Sequence, residues 1–368
     1  MDFGILTEGY LTGGTASFRE RYHEVLAEAK LADQVGFDVF GTSEQHFTAP
    51  RFTISAGELF LAAVAVLTER IHLRTSTTLI PFHQPVRVAE QIATLDNLSG
   101  GRVEFGSGKG NSTYTAGGFN VDLAERDARW EEGMELVIRA WTQDEFSFDG
   151  KYYKVPSRRL SPTLVQKPHP PLWYAAISPA SHELAGRKGL GVMSLTIAVT
   201  LSQLEKRIKT YRDAIRHAEP FAGIVNKRVS VFCLAHCAES TEKARADAEA
   251  PMLNYLKETV DLYETTLKAA GTNVDFSRIR ATISDFDRCV ETGMALVGDP
   301  DTLAQKLKQY ESLGVDEVMI RMDGISHAAN LKSIELIGKH VIPGFKNRGA
   351  SAGKEPKVRR VFDRRRQS

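Results

Sequence analysis

The sequence predicts an α/β protein, a (β/α)8 TIM barrel with inserted loops and a β-hairpin excursion. Three observations carry this reading. Short apolar strand patterns alternate with amphipathic helix patterns along the 368 residues, as in a parallel sheet with helical crossovers. Polar or glycine-rich turns follow several strands, as in Ser43-Glu44-Gln45-His46-Phe47 and Gly106-Ser107-Gly108-Lys109-Gly110. Parallel α/β enzymes build their sites at those carboxyl ends. The competing doubly wound sheet calls for a dinucleotide fingerprint, and the glycines of 106–110 miss its spacing.

The elements follow in order. Phe3-Leu6 is the first predicted strand. Tyr22, Val25, Ala29 and Ala32 recur at three- and four-residue steps, which predicts a helix over 18–35, stopped at Gly36. A second strand is predicted at 37–40 and an apolar helix at 54–67. The β-branched run 71–80 predicts the third strand. Pro85 opens a helix that Ser99-Gly100-Gly101 ends. A fourth strand is predicted at 102–105 and a long amphipathic helix at 124–141. The alternation then breaks. Residues 146–153 read as a hairpin turning at Asp149-Gly150, and a proline-rich stretch runs to Pro171. Strands resume at 172–177, 191–195 and 229–235, separated by helices, and a long helical region follows from Thr241. Residues 271–295 read as irregular. A helix at 301–313, an eighth strand at 318–322 and a last helix complete one barrel domain over 1–345. The basic segment 346–368 reads as a disordered tail.

Composition sets the bounds. Hydrophobic residues are 42% and charged residues 25%, with a net charge of +1. That supports a sizeable core and offers no general attraction to nucleic acid or a membrane. Cys233, Cys237 and Cys289 are too few for a disulfide scaffold. With no second Cys/His pair to complete a zinc set, they read as reduced thiols and no metal site is expected. The absence of a signal peptide or a long apolar run predicts a cytoplasmic protein.

Several segments could carry chemistry. Glu44 and His46 are two apart and so can share one side of an extended segment, where the carboxylate would orient the imidazole. The triplet equally fits a cluster bonding its own backbone. Thr75-Ser76-Thr77-Thr78 suits a polar ligand edge or a plain β-branched strand. Gly108 and its neighbours allow close backbone approach, with Lys109 as one cation for an anion. Ser178-Pro179-Ala180-Ser181 places hydroxyls at a helix start, fit for a phosphate or an ordinary cap. Arg126 and Arg129 could reach an anion or lie on a solvated face. His72, His83 and His169 carry no partner pattern and read as packing or surface residues. Trp130, Trp141 and Trp173 read as core.

Taken together these segments resemble the bacterial luciferase-like, flavin-dependent monooxygenases. The similarity is carried by Gly36-Phe37-Asp38, Glu44 to Phe47, Pro85 to Glu90, Leu95 to Arg102, Phe105 to Gly110, Phe148 to Tyr153, Ser178 to Ser181, Val297 to Pro300 and Gly314 to Glu317. The resemblance implies a TIM barrel that binds FMN as FMNH2, supplied by a separate NAD(P)H:flavin reductase. It further implies oxygenation of a small organic substrate with O2 through a C4a-hydroperoxyflavin, and a homodimer. Ser76 and Thr77 match a non-proline cis peptide beside the flavin. Lys109, Ser178 and Ser181, with Arg126, match phosphate-contacting positions. Two departures stand out. Gln45 occupies the place of a histidine to which relatives give a catalytic role, and Gly108 stands where the luciferase has a reactive cysteine. Chemistry that depends on that histidine, light emission included, is therefore in question. Gln45, His46 and Ser76-Thr77 are expected at the reacting edge with Glu44 orienting His46, and segments 155–171 and 271–295 are expected to cover the pocket. The nearest alternatives are an F420-dependent dehydrogenase or reductase of the same superfamily and a non-catalytic flavin-binding protein.

Overall fold

The computed structural model describes residues 1–11, 17–49, 51–197, 199–269 and 276–346. The expected basic tail, beyond Lys346, lies outside the described residues. Eight parallel strands close a barrel: β1 Asp2–Thr7, β2 Val39–Thr42, β3 His72–Thr75, β4 Val103–Gly108, β5 Leu172–Ala175, β6 Gly191–Leu195, β7 Val229–Cys237 and β8 Glu317–Arg321. Each pairs with the next, and β8 pairs back onto β1, with Phe3 opposite Val318. The predicted TIM barrel is the fold. After β3 the Ser76–Thr77 peptide is cis, and Thr78–Leu79 rejoins β4.

Local chemistry explains the helix boundaries. Ser17 Oγ accepts the Glu20 N–H to start the helix Phe18–Val35, and Gly36, at φ 100°, ends it. Its Val25, Ala29 and Ala32 are buried against the barrel. Pro85 sits in the first turn of Pro85–Ser99, whose Gln84 side chain accepts the Val86 and Arg87 N–H groups.

A polar layer fills the barrel interior. The fully buried Arg74 of β3 bonds Glu317 of β8 at 2.5 and 2.8 Å and Glu104 of β4 at 2.8 Å, with Ser230 of β7 at 3.4 Å. Its guanidinium stacks 3.9 Å from the Trp173 ring of β5. Five strands are thus tied through one cation.

Three expectations are corrected. The proline-rich stretch before β5 lies at the amino ends of the strands. There the Val165 and Gln166 N–H groups donate to Asp96, and Gln166 Nε2 donates to the Val103 carbonyl at the start of β4. It therefore cannot cover a pocket at the opposite end. The segment read as irregular holds two short helices, Ser277–Ile283 and Phe286–Glu291, and a strand, Ala295–Gly298, that pairs with β7; residues 271–275 lie outside the described residues. The hairpin joins Phe146–Asp149 to Lys154–Arg158 through a longer loop than Asp149-Gly150 alone suggests, because the Glu132 carboxylate gathers the N–H groups of Lys151, Tyr152 and Tyr153.

Candidate active site

A cavity of about 610 Å³ opens at the carboxyl ends of the strands. Glu44, Gln45 and His46 reach it from β2, Ser76 and Thr77 from β3, and Gly110 from beyond β4. Its outer wall comes from the long helix Thr241–Ala269, through Tyr255, Thr259 and Leu262. Among the described residues, neither 155–171 nor 276–295 contributes to the lining. Two shallower hollows, beside Glu258 and against the hairpin, touch none of the predicted site residues.

The structure brings Glu44 and His46 together and adds a third member. His46 Nε2 lies 2.6 Å and His83 Nε2 2.8 Å from the same Glu44 oxygen, while the other oxygen accepts the Leu79 N–H at 2.8 Å. Burial alone would raise the Glu44 carboxyl, but the bonds from His46 and His83 outweigh it and hold the group below its ordinary value. Burial works against the charged His83 ring, yet the Glu44 carboxylate outweighs that and raises its pKa above the usual imidazole value. Both rings present Nε2 to an acceptor-only carboxylate, so each donates there and turns Nδ1 elsewhere. The His46 ring also meets Phe119 edge-on at 4.7 Å. The sequence alone gives His83 a packing or surface role. It lies 39 positions from Glu44, and no local spacing signals their meeting.

Gln45 is held as well. Its Nε2 donates to Glu8 Oε1 at 3.0 Å, and the second Glu8 oxygen accepts Arg321 Nε at 2.7 Å. Burial, with Asp323 nearby, raises the Glu8 carboxyl despite Arg321. Glu8 directly follows β1, lines the cavity, and was not a sequence candidate.

The remaining candidates lie beyond the cavity's edge at β4 and β5. Lys109 Nζ is 3.2 Å from Asp127 and sits over the Trp130 and Tyr174 rings. Arg126 also meets Asp127, at 3.5 Å. Asp127 is two-thirds exposed at 66%, so an arriving anion can displace it into solvent. Ser178 and Ser181 close a capping box at the start of Pro179–Arg187. Behind them the buried His182 bonds the Ser178 carbonyl and the Ser194 hydroxyl, at 2.8 and 2.9 Å. Burial pushes this imidazole down to about 4. It is therefore neutral, and it ties the cap to a strand residue that lines the cavity. A Cβ at Gly108 would stand 2.6 Å from Thr77 Oγ1, so a side chain there would require the Thr77 side chain to shift.

A closed barrel that gathers titratable groups around a cavity at its strand carboxyl ends has its candidate site where TIM-barrel enzymes build theirs. This chain belongs to the luciferase-like monooxygenase family, whose model matches residues 1–317. It is 26% identical, over 89% of its length and 91% of the relative's, to the oxygenase component of a flavin-dependent trigonelline monooxygenase from Acinetobacter baylyi. It is 37% identical over 177 residues, covering 46% of this chain and 51% of the relative, to an F420-dependent glucose-6-phosphate dehydrogenase from Beutenbergia cavernae. The crystal structure of the monooxygenase RslO1 from Streptomyces bottropensis superposes with a TM-score of 0.78 at 27% identity, over 94% of this chain and all of that one. Among the described residues no helix is long and apolar enough to cross a membrane.

Proposed function

We propose that this chain is the FMN-dependent oxygenase component of a two-component monooxygenase. It takes FMNH2 from a separate NAD(P)H:flavin reductase and uses O2 to oxygenate a small organic substrate. The observation that carries this reading is the cavity at the strand ends, where Ser76-Thr77 and the Glu44–His46–His83 cluster converge.

The residues fit a flavin mononucleotide. Ser76 Oγ is buried without a partner and lines the cavity, so it offers a hydrogen bond to a polar ring edge. Gly108 and Gly110 let Thr77 and Phe82 pack closely against the backbone at the cavity's edge. A Cβ at Gly110 would stand 2.7 Å from the Phe82 ring, and its φ of +71° suits glycine. In this reading Ser76 and Thr77 lie against the ring, while Lys109, Arg126, Ser178 and Ser181 hold the phosphate. Reduced flavin, when bound, supplies the activation of dioxygen. The protein's part is to position and to exclude water. Glu44 fixes the His46 and His83 rings, and His46 and Gln45 present hydrogen-bonding groups to the reacting edge. A homodimer belongs to the same reading. Leu59 and Val66, on the helix Gly57–Leu67, are 69% and 70% exposed and offer an apolar face near β2 and β3.

The F420-dependent relative favours a second reading, hydride transfer to or from a deazaflavin without O2. Fluorescence titration with FMN and with F420, followed by O2 uptake with FMNH2 regenerated by a flavin reductase, separates the two. Micromolar FMN binding with substrate-dependent O2 uptake supports the oxygenase. F420 binding with no uptake refutes it.

A further inference from the structure

The cavity has a second polar pole that the flavin reading leaves unused. The barrel's ring order places β1 and β8 across the mouth from β4 and β5, where Lys109 and Ser178 lie. At that far side Glu8 faces the cavity, tethered by Gln45 at 3.0 Å and by Arg321 at 2.7 Å. Arg321 is itself sandwiched, with its guanidinium 3.5 Å from the Tyr255 ring, and it donates to the Asp323 carbonyl at 3.0 Å. Asp323 is bonded by Thr7, by the Glu8 N–H and by Arg21. Glu8 is thus immobilised from four elements, although carboxylates are rarely buried without a reason of this kind. The surrounding wall is apolar: Leu6, Phe52, Phe232, Leu262 and Met319. A second, independent sign of a polar ligand comes from Ser43 Oγ and Thr48 Oγ1. Both are buried without a partner, and both residues line the same cavity on either side of Gln45.

We propose that Glu8, with Gln45, anchors the hydroxyl of an otherwise apolar substrate, an alcohol or a phenol, on the side of the cavity opposite the flavin phosphate. A carboxylate engaged by an N–H of Gln45, by Arg321 and by the Tyr255 side chain still has acceptor capacity for one more donor, since its two oxygens offer about four lone-pair sites. The adjacent Arg321 cation disfavours an ammonium group and leaves a neutral donor as the best complement. Gln45, whose nitrogen is committed to Glu8, turns its carbonyl oxygen away as a further acceptor. The two unpartnered hydroxyls can in turn donate to the ligand's oxygen. In a site built this way, a ligand lacking the donor loses a hydrogen bond to a charged acceptor that water cannot replace.

The inference rests on the oxygenase reading for its geometry, but its test is separable. 4-tert-Butylphenol and tert-butylbenzene, one skeleton with and without a hydroxyl, are titrated calorimetrically into the full-length protein, free and FMN-loaded. The phenol is expected to bind about tenfold tighter, the size of one charge-assisted hydrogen bond. Glu8→Met is expected to abolish that preference while leaving the tert-butylbenzene affinity within twofold. Glu8→Gln, which keeps the shape and a weaker acceptor, should retain a few-fold preference. If Glu8→Met does not fold, the reduced preference of Glu8→Gln decides. Equal binding of the two probes by the unaltered protein, or an undiminished preference in the variants, overturns the anchor. A Glu8-dependent preference without any FMN binding would leave the anchor standing and remove the flavin reading; FMN binding without the preference does the reverse.

Discussion

Replacing Arg74 by Met should destabilise the barrel by about 3–5 kcal/mol, the cost of removing one partner from a buried ion pair. The structure puts Arg74 at the upper part of this range. It has no exposed side-chain surface, and its loss takes the guanidinium from two carboxylates, Glu104 and Glu317, that are 6% and 0% exposed and keep only weaker support from His72 and Ser230. It also removes the Arg74 donor from the Ser230 hydroxyl, which keeps its own bond to Glu317, and unstacks the Trp173 ring. Such a loss is a large part of the roughly 5–15 kcal/mol by which domains are stable. The pH dependence provides a second signature. Burial alone would raise the Glu104 carboxyl, but Arg74, with His72, holds it far below the usual carboxylate range. A carboxyl depressed in the folded state contributes stability that is present above its unfolded value near 4.5 and is lost as pH falls. Urea denaturation of the unaltered protein should therefore weaken progressively below that pH, and Arg74→Met should flatten the acid limb while lowering the midpoint. A loss below about 1 kcal/mol, the value of an exposed pair, would refute the reasoning.

Lys109→Ala should weaken FMN binding about tenfold to hundredfold, as expected for one charge-assisted contact, and leave riboflavin affinity unchanged; equal losses for both ligands would place Lys109 away from the phosphate. His83→Gln should remove or shift the alkaline limb of kcat/KM. The folded pKa of His83 is raised above 6.5, so its charged bond to Glu44 persists from acid pH and is lost as pH rises through that raised value. An alkaline limb that stays in place would refute this role. His182→Phe should lower FMN affinity through the Ser178 cap with no effect on the pH profile, since His182 is already neutral at working pH; titration of the variant with FMN checks it.

Much of the fold is written in local patterns. The eight strands announce themselves because a strand buried on both faces of a barrel needs a continuous apolar or β-branched run. The stops at Gly36 and Gly100 and the start at Pro85 are equally local, whereas the periodicity that predicts the first helix does not mark the Ser17 cap. Glu44 and His46 could be paired because two-residue spacing in extended chain puts both on one side. His83 and Glu8 could not, since they meet the site only through barrel closure, one from a turn 39 residues beyond Glu44 and one from the end of β1. The pocket wall was misassigned for a related reason. A segment that precedes a strand enters at its amino end, which puts 155–171 on the wrong side, whereas the helix that follows β7 starts at the carboxyl end and supplies Tyr255 and Leu262. Gln45 read in isolation as a replaced histidine; its tether to Glu8 becomes visible only when β1 lies beside β2.

The most direct measurement is the fate of isotopic oxygen. The protein is supplied with FMNH2 by a flavin reductase under 18O2 and given a panel of small apolar alcohols, phenols and ketones. An oxygenase incorporates one 18O atom into product, with O2 uptake that rises with substrate. Unlabelled product formed only with F420, or FMNH2 oxidation that yields hydrogen peroxide alone with every compound, would contradict it.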